Sequence, residues 1–251
     1  MIRGSFIFLD KVGYKTERNI WLQGIHSWND FLAKTKIDGM SLMRKRFYDS
    51  KILKAKKNLY NDNSCYFTNI LPFSEQYRLY NYFKDQACFL DVETTGYYGD
   101  ITMVGLYNGY DTKTLVRGYN LNKDLLLQEL KKYKLIITYN GASFDFPVIR
   151  KYFNIYLRQP HVDLKIVCQK LGLRGGLKYI EKALQIKRSD DVEGMRGEDA
   201  VYLWWQWRTT RNRKYLDLLK LYNEEDVINL KTIADKLIPV LWKKIKGCVY
   251  D

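Results

Sequence analysis

The sequence is poor in features that several functions require. It holds four cysteines, Cys65, Cys88, Cys168 and Cys248, and no two are close enough to form a CxxC pair. A zinc ribbon is thereby excluded, and dispersed, reduced thiols of a cytosolic protein are expected. No stretch approaches the roughly 18 apolar residues of a membrane span. The opening run MIRGSFIFLD is too short for a secretory signal and is broken by Asp10. A cytoplasmic protein without membrane contact is therefore the expectation. No internal repeat and no low-complexity linker divides the chain.

What is abundant is positive charge. Against 28 acidic residues stand 42 lysines and arginines, a net charge of +14, while 46% of the chain is hydrophobic. Such a chain can bury a real core, and its charge surplus suits a polyanionic partner, since each phosphate neutralised releases condensed counterions. Residues 1–85 read as a basic, mainly helical N-terminal region. Residues 86–251 alternate short apolar runs with amphipathic helices. ACFLDV (87–92), ITMVGLY (101–107) and TLVRGY (114–119) predict three strands of an antiparallel meander, the last two joined by the turn-rich NGYDTK. A helix over 121–132 follows, capped by Asn120 or Asn122, then a buried strand at 135–139 and a helix over 146–153 with Pro147 in its first turn. From Gly175 onward the pattern is helical, and 215–236 is the longest periodic stretch. The order predicts an α/β ribonuclease H-like fold, a mixed five-stranded sheet flanked by helices.

Three acidic motifs punctuate this order. In FLDVETTG (89–96), Asp91 and Glu93 are two apart at the end of a strand and leave the same face. Two such carboxylates raise one another's pKa, and a divalent cation held by hard oxygen ligands removes that cost. An acidic-x-acidic pair by itself is common on solvated surfaces. In YNGASFDFP (139–147), Asp145 precedes a helix, where a simple N-cap is the competing reading. In YNEEDVINL (222–230), Tyr222 and Asp226 share one helix face. An aspartate facing a core needs a partner, because a lone buried carboxylate is expensive.

Taken in order, the acidic pair, NGxxFD and YxxxD resemble the three exonuclease motifs of the DEDD superfamily, in its tyrosine branch, DEDDy. LDVETTG, ITMVGLYNG, TYNGASFDFPVI, HVDL and YNEEDVINL look closest to YprB-like ribonuclease H-like proteins, over residues 86–237. The resemblance implies that Asp91, Glu93, Asp145 and Asp226 bind two Mg2+ or Mn2+ ions and that Tyr222 hydrogen-bonds the nucleophilic water. YprB-like relatives often carry histidine at that tyrosine position, a departure that bears on Tyr222 alone. The histidine branch is set aside, because the chain's two histidines, His26 and His161, do not lie just before Asp226. The implied activity is a metal-dependent 3′–5′ exonuclease acting on single-stranded ends, with DNA favoured over RNA. A structure-selective endonuclease is the alternative enzyme reading, and a catalytically silent nucleic-acid-binding module the alternative outside enzymes.

Residues flanking the motifs, Thr94, Thr95, Tyr97, Asn140 and Phe144, are expected to meet substrate, with Tyr97, Tyr98 and Phe144 as base-stacking candidates. His161 and Asp163 suit an outer-shell role near the metals, but a cap for the following helix is favoured for Asp163. Lys178 in GGLKYIEKAL is read as a solvent-facing lysine rather than a phosphate contact. Trp204, Trp205 and Trp207 are at spacing more typical of core than of stacking. The segment 34–57 carries nine basic residues and only Asp38 and Asp49 as acids, a candidate phosphate-tracking surface. Residues 10–32 look like a degenerate helix-hairpin-helix, with Gly13 and Gly24 as its matching glycines but without an intact GIG hairpin.

Overall fold

The structure is a computed structural model and describes residues 1–96 and 99–247. Helices come first: α1 (Tyr14–Leu22), α2 (Trp28–Ala33), α3 (Leu42–Tyr60), α4 (Cys65–Thr68) and, after a 3-10 stretch at Phe73–Leu79, α5 (Tyr80–Phe83). The sheet then begins with β1 (Ala87–Thr94), β2 (Ile101–Tyr107) and β3 (Thr112–Val116). It continues through α6 (Lys123–Leu130), β4 (Leu135–Thr138), α7 (Asp145–Phe153) and β5 (His161–Asp163). The chain ends in α8 (Leu164–Lys170), α9 (Leu177–Ala183), α10 (Gly197–Thr210) and the long α11 (Arg213–Gly247). Side chains open these helices as capping chemistry requires. Ser27, Ser41, Asn122 and Asp163 accept hydrogen bonds from the backbone of α2, α3, α6 and α8 respectively.

The strands form one five-stranded mixed sheet in the order β3-β2-β1-β4-β5. β1–β2 and β2–β3 are antiparallel, and β1–β4 and β4–β5 parallel. This is the predicted ribonuclease H-like architecture. Two details differ from the sequence reading. The third strand lies at Thr112–Val116 rather than 114–119, because Arg117–Asn120 form the turn that closes it. The fifth strand is only three residues long, too short to show an alternation.

Alternation along β1 separates two layers. Cys88, Leu90 and Val92 pack with Leu126 and Leu130 of α6 and Ile149 of α7. Phe89, on the other face, packs with Val227, Leu230 and Ile233 of α11. Asp91 and Glu93 continue the Phe89 face, toward α11. The N-terminal region shares this second core: Trp21, Trp28, Phe31, Phe67 and Phe83 lie in one cluster with Phe89, Leu135 and Ile233. Polar contacts reinforce the join. The buried guanidinium of Arg78 pairs with Glu17 (2.7 Å) and Glu75 (2.6 Å), Lys170 of α8 pairs with Glu75, and Tyr80 donates to Asp235 of α11 (2.7 Å). Among the described residues Cys65, Cys88 and Cys168 are free thiols, the last two buried; Cys248 lies outside them.

Candidate metal centre

Carboxylates from two elements meet at the end of β1. Asp91, Glu93 and Asp226 each present a ligand atom, and these atoms lie within 4.8 Å of one another. Local packing explains the convergence. Asp91 stands opposite Gly105 of β2, where a Cβ would overlap the Asn223 side chain. The glycine lets α11 lie close to the sheet, so that Asn223 Nδ2 donates to Asp91 Oδ2 (2.8 Å). A register shift between Glu93 and Thr94 bends the strand just past the acids, a common way to re-aim side chains beside a site.

Asp145 is the first residue of α7 and is buried. It does not cap the helix, and its Oδ1 has no hydrogen-bond partner among the described residues. Burial and the neighbouring charge of Asp91 drive its pKa well up. Burial likewise raises Glu93, followed by the charges of Asp91 and Asp226. Asp91 is pushed up to about 7, first by burial and then by Asp226. Asp226 is also raised by burial, against the pull of Lys178 and Arg188. Asp91, Glu93 and Asp226 form an all-oxygen cluster that suits a hard divalent cation, and Asp145, whose pKa is raised in part by Asp91, lies near it with one orphaned oxygen.

Two cations complete the site. Lys178 of α9 donates to Asp226 and lies 4.2 Å from the ring centroid of Tyr222. This corrects the solvent-facing reading of Lys178: α9 turns it inward against α11. Arg188, which the sequence reading passed over, also donates to Asp226. Glu181 orients it through Nε (2.9 Å) and Nη2 (2.5 Å) and is itself held by Asn229 (3.0 Å). The available signal was the spacing of Lys178 and Glu181, three apart on one helix, but Arg188 lies in a loop without periodicity. Tyr222 is buried one turn before Asp226, and burial raises its hydroxyl pKa further.

The flanking residues divide. Thr94 Oγ1 donates to the Gly96 carbonyl (2.7 Å), and Thr95 Oγ1 accepts from Asp100 N (3.1 Å), so both hold the β1–β2 turn. Asn140, in a left-handed conformation (φ +65°), donates its N–H to Asp163 (2.8 Å) and accepts from Lys165 Nζ (3.1 Å). Phe144 lines an open cavity of about 500 Å3 with Gly99, Asp100, Pro147 and Tyr152. Tyr97 and Tyr98 lie outside the described residues. Asp163 caps α8 through Lys165 N (3.0 Å) and also accepts from Ala142 N (3.2 Å). His161 is core: it bonds Thr138 (2.8 Å), stacks on Phe146 at 3.9 Å, and burial lowers its pKa to about 3. Trp204 and Trp207 are buried, whereas Trp205 is 53% exposed.

Comparison with known proteins agrees with this architecture. The RNase_H_2 family model, of the RNase_H superfamily, matches residues 88–238, more than half of the chain and all five strands but the first residue of β1. No curated protein and no solved structure matches. The chain belongs to the RNase H superfamily.

Proposed function

We propose that the protein is a metal-dependent 3′–5′ exonuclease of the DEDDy type, related most closely to YprB-like proteins, that hydrolyses single-stranded nucleic acid, DNA in preference to RNA. Membership in the RNase H superfamily suggests the coarser part, a metal-dependent nuclease with a nucleic-acid substrate. The observation that carries the reading is the meeting of Asp91, Glu93 and Asp226 near Asp145, one of whose carboxylate oxygens has no hydrogen-bond partner among the described residues. Residues 1–85 are taken as the basic N-terminal region and 86–251 as the ribonuclease H-like domain. No helix among the described residues is long and apolar enough to cross a membrane, and a cytoplasmic setting is part of the proposal.

Asp91, Glu93, Asp145 and Asp226 would hold two Mg2+ or Mn2+ ions, which when bound acidify a water and neutralise developing phosphate charge. The chain's other groups act around them. Tyr222, kept protonated by burial, serves as a hydrogen-bonding hydroxyl that orients the attacking water and does not act as a base. Asn223 fixes one Asp91 oxygen by donating a hydrogen bond to it. Lys178 and Arg188 hold Asp226 and bring positive charge to where a scissile phosphate would lie.

A silent binding module is the second reading, favoured by one observation: Lys178 and Arg188 neutralise Asp226 without any metal. End-labelled linear and circular single-stranded DNA, incubated with Mg2+ or EDTA, separate the readings. Cleavage of linear strands only, abolished by EDTA, is expected. Cutting of circles points to an endonuclease, and binding without cleavage to the silent module.

A further inference from the structure

Away from the carboxylates, the β3 edge carries a series of arginines and aromatic rings. Tyr152, which lines the cavity beside Asp145, lies 5.9 Å from the Arg117 guanidinium. Two residues on, in the turn after β3, the Tyr119 ring packs against Trp207 in a tilted arrangement, with centroids 5.6 Å apart and planes 30° apart. Arg211 sits 5.9 Å from the Trp207 ring, and Arg208 lies 6.0 Å from Trp204. Trp204 and Trp207 contact each other at 4.9 Å. The indoles are buried, but Tyr119 is 70% exposed. Arg117 pairs with Asp100 (3.0 Å), whereas Arg208 and Arg211 make no ion pair among the described residues.

We propose that this ladder is a binding track for single-stranded nucleic acid, carrying the strand away from the cleavage site over the β3 edge. The inference rests on the nucleic-acid reading above. Its chemistry is specific to such a ligand. A guanidinium beside an indole and without an ion pair keeps its N–H groups available to a phosphate. Tyr119 rests against Trp207 yet is largely exposed, so its ring is available to a base, and stacking of this kind tolerates any sequence. The track begins at the cavity that Phe144 lines, one residue from Asp145. It lies at the opposite edge of the sheet from β5, against which the Phe73–Leu79 segment of the N-terminal region packs. The track is therefore independent of the basic helix α3.

The test is fluorescence anisotropy of labelled oligo(dT) in EDTA, over a salt series, with the full chain. The variants are Tyr119→Ala, Tyr119→Phe and the double change Arg208→Gln with Arg211→Gln, each checked for an unchanged melting temperature. The double variant should flatten the salt slope by about 1.4, since each single-strand phosphate contact contributes roughly 0.7. Tyr119→Ala should weaken a twelve-nucleotide strand about tenfold, the loss of one stacked base, while Tyr119→Phe retains it. Binding of a dinucleotide should be unaffected. Unchanged affinity and slope in the variants overturn the proposal, as does a loss that charge removal on α3 reproduces and the ladder variants do not. Ladder-dependent binding without cleavage in Mg2+ or Mn2+ supports the track while removing the nuclease reading. Cleavage indifferent to the ladder does the reverse.

Discussion

Asp226 shows how much a single carboxylate is asked to do. It faces Asp91 and Glu93 on one side and accepts from Lys178 and Arg188 on the other. Its replacement by Ala, or that of Asp91, should abolish cleavage with the fold retained, measured by end-labelled degradation beside circular dichroism; wild-type rates would remove that residue from the metal centre. Tyr222→Phe should slow cleavage roughly 10–1000-fold without altering metal affinity, because only a positioning hydroxyl is lost. An unchanged rate at saturating substrate would make Tyr222 structural. The pH dependence follows from Asp91, raised from 3.8 to about 7. Between those values the folded, metal-free protein retains a proton that the unfolded chain has released. This contribution to stability is therefore full below about pH 4 and lost as pH rises through about 7. Metal binding must expel the same proton. Calorimetry near pH 6 in buffers of different ionisation enthalpy should record proton release that Asp91→Asn diminishes; equal release in the two proteins would contradict the assignment. At this scale the meeting of Asp91, Glu93 and Asp226 was legible because each sits at a fixed place on a strand or helix. Arg188 and Asn223 were not, because their roles depend on which groups tertiary packing brings beside them.

Among elements, β1 and α11 bring Asp91, Glu93 and Asp226 together, and their approach depends on Gly105, whose missing side chain leaves room for Asn223. Local pattern could not reveal that requirement, since ITMVGLY reads equally well as a strand with any small residue there. The acid-bearing strand and the long terminal helix were plain from periodicity, whereas β5 was hidden by its length. That short strand ends in Asp163, which caps α8 and also binds the backbone of Asn140 and Ala142, just before Asp145. Asp163→Ala should lower stability by about 1–2 kcal/mol, the loss of a cap and of hydrogen bonds to part-buried backbone donors. Its effect on cleavage should be far smaller than that of Asp226→Ala. Denaturant unfolding and rate measurements on the same variant check both parts, and a complete loss of activity in a stable Asp163→Ala protein would give Asp163 a direct role.

Across the whole molecule, a net charge of +14 coexists with the acidic cluster of Asp91, Glu93 and Asp226, a balance that suits a polyanionic partner. The basic surplus was readable from composition; its arrangement as a track at the β3 edge was not, because Arg117, Tyr119, Trp207 and Arg211 come from distant segments. Nor did the sequence reveal how tightly residues 1–85 are built into the core. Arg78, fully buried between Glu17 and Glu75, is the clearest sign. Arg78→Ala should cost about 3–5 kcal/mol, because it strands two buried carboxylates, and urea unfolding should show one cooperative transition moved to lower denaturant. A first transition confined to the N-terminal region would show that the region folds apart. The central claim, that the four acids form a metal-dependent exonuclease site, is tested most directly by following a 5′-labelled single strand with purified protein in Mg2+ and in EDTA. The account predicts stepwise shortening from the 3′ end in Mg2+ and none in EDTA. Cleavage that persists in EDTA, or immediate release of the labelled 5′ nucleotide, would contradict it.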